Sequence, residues 1–479
     1  MLEGLEISII KKSEAFAEFF NGRFDPEFFQ KHYAKTYKTI LSKPYEFLGD
    51  ICFVTDGDHG NVTTTKTGYS KYYGARNVLS GILSDISVEY ITERHHQKLR
   101  KSALSPRDVL ISCVGANIGF AAIVPDDIGV ANIVRNVALI RSKSDWFINE
   151  YLLAYLCSSY GKDLYIRMNT GNAQPLVSLD YIETVPIFKP SIDFQRKIQN
   201  VTNVALEALS QSKKIYIDAE SMLVDSLSIS DSSSDAKTVN IKSIKDSFAT
   251  TGRLDAEYYQ PKYEQLMARI KTKAHDTLAA LVSIRKSIEP GTDAYADDDE
   301  GLPFLRVADY SKYGVTKPQK YLRTTFVADN LSVLDALKPK KNTILFSKDG
   351  SVGEAYCLRD DANFITSGAV LHLTVRNLQN ILPDYLTLAL NSTLVRMQAE
   401  RDAGGSIILH WRVGEIENLV VPLVDMPTQK IIAALAQQSF ALKSKSVRLL
   451  DAAKRAVEIA IEQDEAAGMA YLAREGALA

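Results

Sequence analysis

The most regular hydrophobic pattern in the chain occurs twice. Between residues 192 and 223, apolar and small side chains recur at alternating steps of three and four residues, and the pattern returns 234 residues later. Such spacing is typical of a long helix that packs lengthwise on another helix. The shared register predicts an antiparallel pair of helices related by a pseudo-two-fold axis. The predicted seam consists of Ile198, Val201, Ala205, Ala208, Ser212, Ile215, Ala219 and Met222 in the first helix and of Ile432, Leu435, Ser439, Leu442, Ser446, Leu449, Ala453 and Ala456 in the second.

The repeat extends beyond these helices. The segment Gly22–Gln30 returns as Gly252–Gln260, with aromatic residues at matching positions. We interpret the Arg and Asp of each copy as an ion pair that fixes a turn beside two buried aromatics, rather than as a catalytic cluster. Each long helix also follows a Val-Pro strand end and a Gln, namely Val185, Pro186 and Gln195 or Val421, Pro422 and Gln429. These correspondences predict two homologous halves.

Within each half, a Leu-x-Pro sequence, an apolar run and a glycine-rich turn follow one another, at residues 104–119 and 337–353. We predict a strand–turn–strand corner at both places, because the turns lack the Gly-Lys-Ser/Thr ending of a phosphate-binding loop. Strands that end in a polar pair are predicted at residues 72–78 and 304–310, and helices at 147–157 and 382–390. The serine-rich residues 226–235 predict a flexible linker between the halves.

Composition and charge describe an ordinary globular protein. Hydrophobic residues make up 46% of the 479 positions and charged residues 24%, and no apolar run is long enough for a membrane helix. The first twelve residues do not resemble a secretory signal. The four cysteines lack the spacing of a zinc site or a disulfide framework, so we expect Cys113 and Cys357 to be buried free thiols in a reducing cytoplasm. The net charge of −2 argues against nucleic-acid binding by bulk electrostatics.

Two local runs of basic charge are compatible with DNA binding, although a basic run by itself is more often a solvated surface. Residues 94–101 and 317–323 interleave Lys and Arg with His or Tyr, the composition of a loop that faces DNA. No metal site is expected, because the acidic run at 297–300 and the pair His95-His96 lack ligand spacing. We find no phosphate loop, no cofactor-binding glycine loop, no Asp/Asn-Pro-Pro-Tyr/Phe sequence and no Gly-x-Ser-x-Gly elbow. We therefore expect no catalysis by this chain.

The twin motifs at residues 171–186 and 405–422, each leading through Gln195 or Gln429 into a long helix, resemble those of the specificity subunit of a type I restriction–modification system. The second copy has Ile407, Ile408 and Leu409 where the first has Gln-Pro-Leu. The resemblance implies an α+β fold, with two pseudo-symmetric target-recognition domains separated by two long antiparallel conserved helices that form a coiled coil. The implied domains are a first recognition domain (1–190), a central helix (191–225), a linker (226–240), a second recognition domain (241–425), a distal helix (426–465) and a tail (466–479).

The resemblance also implies partners and a function. The chain would read a bipartite, asymmetric target in double-stranded DNA and dock two methyltransferase subunits, and possibly two restriction subunits, through its helices. S-adenosylmethionine would belong to the methyltransferase, and ATP and Mg to the nuclease, so that the chain itself holds no cofactor. The assembled complex would be an adenine-specific methyltransferase and an ATP-dependent endonuclease in a prokaryotic cytoplasm. Two alternatives stay open, which are a related type II-like restriction system and a helical scaffold that does not read DNA.

Helix length agrees with a bipartite target. A helix of about 28 residues spans roughly 42 Å, slightly more than the 34–36 Å or so of one turn of B-DNA. We hypothesise that bases are read by polar residues of the loops, since Arg and Lys suit guanine, Asn suits adenine and Asp accepts from cytosine. The candidates are Lys66, Tyr69, Lys71, Arg76, Asn77 and Lys98 in the first half and Arg306, Asp309, Lys312, Lys317, Lys320 and Arg323 in the second.

Overall fold

The computed structural model describes residues 9–13, 25–60, 62–115, 117–143, 146–170, 174–227, 239–296, 300–405 and 409–476. The chain divides into two compact units. Unit 1 comprises residues 1–209 and 443–479, and unit 2 comprises residues 210–442. Each of the two long helices therefore contributes one end to each unit. Among the described residues, no helix combines the length and the apolar character needed to cross a membrane.

Unit 1 is built on a six-stranded sheet. The strands of the whole unit are β1 (Tyr45–Phe47), β2 (Cys52–Asp56), β3 (Ser70–Tyr73), β4 (Val78–Leu79), β5 (Gly81–Leu83), β6 (Glu89–Ile91), β7 (Val109–Ser112), β8 (Ala121–Ile123), β9 (Ala131–Ile133), β10 (Val137–Ser142) and β11 (Pro186–Phe188). The large sheet has the order β2-β10-β7-β8-β5-β4, and smaller sheets are formed by β6-β3-β9 and by β1-β11. Because every residue of β7 and the first four of β10 are buried, the middle of the large sheet lies within the core.

The helices of unit 1 cover this sheet. They are α1 (Lys31–Leu41), α2 (Leu48–Ile51), α3 (Glu93–Lys98), α4 (Asn149–Cys157), α5 (Ser159–Arg167), α6 (Leu179–Glu183) and the first part of α7 (Ile192–Leu227). Seven of the nine residues of α4 are buried, so this helix lies inside the core. Short 3-10 turns occur at Pro26–Phe29, Ala75–Asn77 and Arg100–Ser102.

Unit 2 repeats this plan. Its strands are β12 (His275–Thr277), β13 (Val282–Lys286), β14 (Leu302–Leu305), β15 (Tyr310–Ser311), β16 (Gly314–Val315), β17 (Lys320–Leu322), β18 (Ile344–Ser347), β19 (Ala355–Cys357), β20 (Ile365–Thr366), β21 (Val370–Val375) and β22 (Val420–Pro422). The order β13-β21-β18-β19 matches β2-β10-β7-β8 of unit 1, and β17-β14-β20 matches β6-β3-β9. The two halves that the sequence repeat predicts therefore share the order of these seven strands. They differ at one edge, because β15 and β16 form a separate two-stranded sheet, whereas β4 and β5 extend the large sheet of unit 1.

The helices of unit 2 follow the same sequence of elements, with insertions. They are α8 (Phe248–Thr251), α9 (Pro261–Lys271), α10 (Leu278–Leu281), α11 (Thr324–Asp329), α12 (Leu331–Leu337), α13 (Pro383–Asn391), α14 (Thr393–Asp402), α15 (Val413–Glu417) and the first part of α16 (Met426–Glu462). The helix α17 (Glu465–Arg474) follows α16 and belongs to unit 1. Its buried Leu472 joins the core of that unit.

The long helices bury the predicted seam. In unit 1, Ile198, Val201 and Ala205 of α7 share a core with residues 449–461 of α16. In unit 2, Ala219 and Leu223 of α7 share a core with Ile432 of α16. All sixteen seam residues are buried or half-buried. Alanine and serine at these positions let two helix backbones approach closely, which larger side chains would prevent.

Serine residues place hydroxyl groups inside this apolar seam. In unit 2, the Ser439 Oγ donates to the Ser212 carbonyl oxygen (2.7 Å) and lies 3.1 Å from the Ser212 Oγ. In unit 1, the buried Ser446 Oγ has no hydrogen-bond partner among the described residues. The repeat explains the difference. Ser446 corresponds to Ser212, but the residue that corresponds to Ser439 is Ala205, which has no hydroxyl group.

Several predictions of local structure are confirmed. Strand–turn–strand corners join β7 to β8 and β18 to β19 as antiparallel pairs, and positive φ angles at Gly115, Gly119, Gly350 and Gly353 allow these turns. Cys113 and Cys357 are buried free thiols. In the second opening segment, the predicted ion pair is present, since Arg253 donates to Asp255 at 2.8 and 2.7 Å beside the Tyr258 ring. The two aromatics Tyr258 and Tyr259 are half-buried, not buried as predicted; Arg23 of the first copy lies outside the described residues.

Other predictions were wrong in their bounds. The helix expected at 147–157 begins at Asn149, and a second helix follows at once because the Ser158 side chain accepts from Gly161 N. Helix α7 extends to Leu227, so residues 226–227 of the expected linker are helical, while 228–238 lie outside the described residues. The strand expected at 72–78 ends at Tyr73, and the segment 94–101 is mostly helical. The segment expected only as a tail contains α17.

The difference in hydrogen bonding between Ser439 and Ser446 allows a matched test of stability. Ser439→Ala should lower the free energy of unfolding by about 1 kcal/mol, because it removes a buried hydrogen bond. Ser446→Ala should leave it unchanged or raise it by up to about 1 kcal/mol, because a buried hydroxyl without a partner is removed. Urea unfolding of the intact chain measures both. Equal destabilisation by the two substitutions would contradict this account of the seam.

Buried His372 in β21 predicts a pH dependence. Its Nε2 lies 2.8 Å from the Thr366 Oγ1, and burial, followed by the charge of Arg285, lowers its pKa from 6.5 to about 4. The unfolded chain therefore binds a proton below pH 6.5 that the folded chain excludes until about pH 4. Stability should fall over this window, by about 2 kcal/mol between pH 7 and pH 5 from this group.

The corresponding measurement compares the intact chain with the His372→Gln variant by urea unfolding at pH 7 and pH 5. Glutamine keeps a hydrogen-bonding group near Thr366 and does not titrate. The variant should lose about 2 kcal/mol less stability than the original chain on acidification. An identical loss in both proteins would show that His372 does not exclude the proton.

Candidate nucleic-acid interface

Three loops of unit 1 meet at the residues just before β10. The backbone N–H of Cys113, which follows β7, donates to the Asn136 carbonyl at 2.9 Å. The Asn136 side chain accepts from Ala75 N at 3.3 Å, and the Asn117 side chain donates to the Ala75 carbonyl at 3.2 Å. Gly57, which follows β2, lies so close to the end of β9 that a Cβ there would be 1.8 Å from the Ile133 carbonyl oxygen. One end of the sheet thus gathers the polar loops of this unit.

Unit 2 gathers its corresponding loops in the same way. Just before β21, the Ala369 carbonyl accepts from Lys348 N at 2.9 Å, and Ser367 N donates to the Leu305 carbonyl at 2.8 Å. Ser367 also forms a parallel bridge with Ile288, which follows β13. The loops after β13, β14 and β18 therefore correspond to those after β2, β3 and β7. We call the two groups of loops the loop clusters of unit 1 and unit 2.

Asn77 and Asp309 hold these loops from inside. Asn77 is 1% exposed; its Oδ1 accepts from Gly74 N at 3.0 Å and its Nδ2 donates to the Ser84 and Ile86 carbonyls at 2.9 Å each. Asp309 is 3% exposed, and its Oδ2 accepts from Arg306 N at 2.8 Å. Both side chains close a 3-10 turn. Since their polar groups already bind backbone, neither is retained below as a base-reading residue.

The other candidates of unit 1 lie at the surface. Lys66, Tyr69, Arg76 and Lys98 are exposed, and Lys71 is half-buried. Two ion pairs hold basic side chains here, Arg76 to Glu89 at 2.8 Å and Lys71 to Asp85 at 3.3 Å. Exposed ion pairs of this kind contribute little stability, so the basic groups can exchange a carboxylate for a DNA phosphate at small cost.

Helix α3, which carries Lys98, is fixed to the loop cluster of unit 1 by its histidines. The His95 Nε2 lies 2.9 Å from Asp58 Oδ2, and the His96 Nδ1 lies 3.1 Å from Ser70 Oγ. The pKa of Asp58 is lowered first by the hydrogen bond from Gly60 N and then by the one to His95. The pair that the sequence analysis excluded as a metal site thus attaches the basic helix to the loops. Among the described residues, no cluster of His, Cys, Asp or Glu suits a metal ion.

In unit 2, three basic candidates surround an aromatic residue that the sequence analysis missed. Arg323 Nε donates to the Tyr295 carbonyl at 2.6 Å, and Lys320 Nζ lies 5.8 Å from the Tyr295 ring centroid. The pKa of Tyr295 is raised above its ordinary value, first by burial and then by Glu289, and the charge of Arg306 opposes this shift. The half-buried Tyr295 ring packs on Phe304, with the ring centroids 5.5 Å apart, and we add it to the candidate base contacts because Lys320 lies near its ring. The neighbouring acidic run hid this signal in the sequence. Lys317 is exposed.

Lys312 lies apart from these residues. Its Nζ pairs with Glu220 of helix α7 at 2.9 Å and lies 4.8 Å from the Tyr216 ring centroid. This lysine attaches the tip of the β15–β16 hairpin to the long helix within unit 2. In unit 1 the β4–β5 hairpin approaches α16 instead, since a Cβ at Gly81 would lie 3.0 Å from Leu450. Lys312 is therefore not retained as a base-reading residue.

A family comparison identifies the class of protein. Residues 292–445 match the family model described as the type I restriction modification DNA specificity domain. The resemblance found in the sequence is thereby confirmed, and the chain carries a DNA specificity domain of type I restriction–modification systems. The matched residues include the loops after β14 and β18, the Tyr295 surroundings and the first part of α16. No curated protein gives a significant match to the chain.

Solved structures of such systems are also similar to this chain. The S subunit of a type I restriction–modification system from M. genitalium is 11% identical, with 91% of this chain and 94% of that chain covered and a TM-score of 0.34. The HsdS subunit from Thermoanaerobacter tengcongensis is 15% identical, with 88% and 97% covered and a TM-score of 0.28.

The internal role of Asn77 can be tested by changing one atom. Asn77→Asp keeps the acceptor for Gly74 N but loses both donated hydrogen bonds and turns a carboxylate oxygen towards the Ser84 and Ile86 carbonyls. The free energy of unfolding should therefore fall by about 2 kcal/mol or more. Asp309→Asn is the comparison, because an amide oxygen can still accept from Arg306 N. It loses only the ion pair with Arg306 Nε at 3.5 Å and should cost about 1 kcal/mol. Urea unfolding measures both. A larger loss in Asp309→Asn than in Asn77→Asp would refute the assigned roles.

Proposed function

We propose that the chain is the sequence-specificity subunit of a type I restriction–modification complex and reads a bipartite, asymmetric DNA target. The observation that carries the proposal is the match of residues 292–445 to a DNA specificity domain. The same arrangement of loops recurs in unit 1, which lies largely outside the matched segment. Two recognition units in one chain would read two half-sites, one from each loop cluster.

The chemistry of the two loop clusters favours different half-sites. Unit 1 presents Arg76, a basic helix α3 that carries Lys98, and the exposed Tyr69, whose ring centroid lies 6.0 Å from that of His96 in α3. Unit 2 presents Arg306, Lys320 and Arg323 around Tyr295, and its corresponding helices α11 and α12 have no basic residue. Because Arg and Lys read guanine edges and contact phosphates, these different arrangements support an asymmetric target.

The long helices would pair as an antiparallel coiled coil and dock the methyltransferase subunits, and restriction subunits where the system has them. The burial of the helix seam in both units supports this role. The chain would contribute no catalysis; S-adenosylmethionine would be bound by the methyltransferase, and ATP and Mg by a nuclease partner. Since the net charge is −2, we expect tight DNA binding only when the partner subunits supply further contacts.

A methylation map tests the proposal. The chain would be expressed with its neighbouring methyltransferase in a host that lacks both, and modified bases would be read by long-read sequencing. We expect modified adenines in a two-part motif that disappears when this chain is omitted. Methylation that persists unchanged without the chain would favour a scaffold that does not read DNA.

Substitutions in the two loop clusters should act on different parts of that motif. Arg76→Ala should relax the sequence requirement in one half-site only, and Arg306→Ala in the other half-site only, with a loss of about 1–3 kcal/mol of base discrimination each. Methylation mapping of each variant measures this.

Lys143→Ala and Arg376→Ala are the controls. These exposed basic residues follow the far ends of β10 and β21, away from the loop clusters, and both substitutions should leave the motif intact. If Arg76→Ala and Arg306→Ala relax the same half-site, or neither relaxes any, the assignment of one half-site to each unit fails.

A further inference from the structure

Each long helix begins with a buried glutamine whose role the proposed function does not explain. Gln195 of α7 and Gln429 of α16 occupy corresponding positions in the repeat and are 2% and 1% exposed. A buried amide must have hydrogen-bond partners, since an unpaired one is costly in an apolar interior. The partners of these two amides therefore show what each glutamine holds.

In unit 1, the Gln195 amide joins the start of α7 to the start of α4. Its Oε1 accepts from Ile148 N at 3.1 Å, next to the first residue of α4. Its Nε2 donates to the Trp146 carbonyl at 3.1 Å and to the Pro190 carbonyl at 3.2 Å. One side chain thus binds the loop that enters α4 and the loop that enters α7.

In unit 2, Gln429 makes the same three bonds. Its Oε1 accepts from Leu382 N at 3.1 Å, and its Nε2 donates to the Asn380 and Val424 carbonyls at 3.1 and 3.0 Å. Leu382 precedes α13, the counterpart of α4, and Val424 precedes α16. The three bonds are therefore reproduced although the residues around them differ, since Trp146 corresponds to Asn380.

A second polar link joins the same elements farther along each helix. In unit 1, Gln199 Nε2 donates to Glu150 at 3.1 Å, and in unit 2, Gln437 Nε2 donates to Asp384 at 2.5 Å. Both carboxylates are buried near the start of α4 or α13. Each is also paired with an arginine beside a strand of the sheet, Arg107 before β7 in unit 1 and Arg359 after β19 in unit 2.

Two attachment points along a helix restrict its direction, whereas one point leaves a pivot. At 1.5 Å per residue the two links lie about 6 Å apart along α7 and about 12 Å apart along α16. Hydrogen bonds fix direction better than apolar contacts do, because packing alone allows several rotations of similar energy. The direction of each helix on its own globular part is thus set by named polar groups.

We propose that Gln195 and Gln429 are positioning residues that fix the direction of each long helix on its recognition unit, and that they thereby set the number of base pairs accepted between the half-sites. This inference rests on the proposed function, because it assumes a bipartite target. A small change in helix direction at its start becomes a displacement of ångströms at its far end. The spacing between half-sites should therefore respond to these two residues more than to other core residues.

The test measures methylation at targets that differ only in spacer length. Plasmids would carry both half-sites separated by the natural spacer or by one base pair more or fewer. The intact complex would contain Gln195→Met or Gln429→Met, since methionine keeps the side-chain length and removes all three hydrogen bonds. Ile140→Ala and Leu373→Ala, fully buried in β10 and β21, are controls that destabilise each unit without touching the links.

We expect the glutamine variants to raise the ratio of methylation at altered spacers to that at the natural spacer about fivefold or more, as the loss of about 1 kcal/mol of positional preference implies. The controls should lower methylation at all spacers in the same proportion. An unchanged ratio in the glutamine variants would overturn the inference while leaving the two-part motif of the original chain intact. A one-part motif in the original chain would instead overturn the proposed function.

A second pair of variants tests the inference even if Gln195→Met and Gln429→Met fold poorly. Gln199→Met and Gln437→Met remove only the second link, from side chains that are half-buried or exposed. They should shift the spacer ratio in the same direction by a smaller factor. If these variants fold and leave the ratio unchanged, the inference also fails.

Discussion

The fold depends on burying a stripe of small residues along two long helices. Alanine and serine contribute little apolar area, so the helices gain stability mainly from close backbone approach and from the larger residues on both sides of the stripe. In unit 1 the helix α7 supplies Ile198 and Val201 to a core that also contains the sheet and α4. In unit 2 it supplies Tyr216 and Leu223 to a separate core. Neither unit has a complete core without segments of both helices.

This constraint explains why the internal repeat is most regular in the helices and least regular in the loops. Each unit places the same sheet and the same buried helix against the long helices, so those positions tolerate few changes. The loop clusters lie at one end of each sheet and carry little of the core. They are therefore free to differ in charge and length, as helix α3 and helices α11–α12 do. A frame that is held constant beside variable loops suits a protein whose target must diversify.

The sequence predicted the frame well because periodicity reports burial directly. All sixteen seam positions are buried or half-buried, and both glycine corners occur where the pattern of strand and turn residues placed them. The two halves share a strand order that follows from their matched motifs. The bounds of individual elements were predicted less accurately than their existence, since Ser158 starts a new helix where the apolar pattern alone shows only an end.

The candidate site was harder to predict because residue type does not show direction. Asn77, Asp309 and Lys312 have the chemistry of base-reading residues, but two of them close turns and the third pairs with Glu220. Tyr295 was missed because it lies beside an acidic run, and only the fold brings Lys320 and Arg323 to it. The roles of Gln195 and Gln429 required the three partners of each amide, which come from separate segments of the chain.

The measurement that tests the central claim most directly is a chemical footprint of the assembled complex on its mapped target. Hydroxyl-radical cleavage and methylation interference would report protected sugars and contacted guanines along both strands. Two separate clusters of protected positions, with an unprotected stretch between them, are the result expected of two recognition units in one chain. A single continuous cluster would show that the chain reads one site, and would contradict the account.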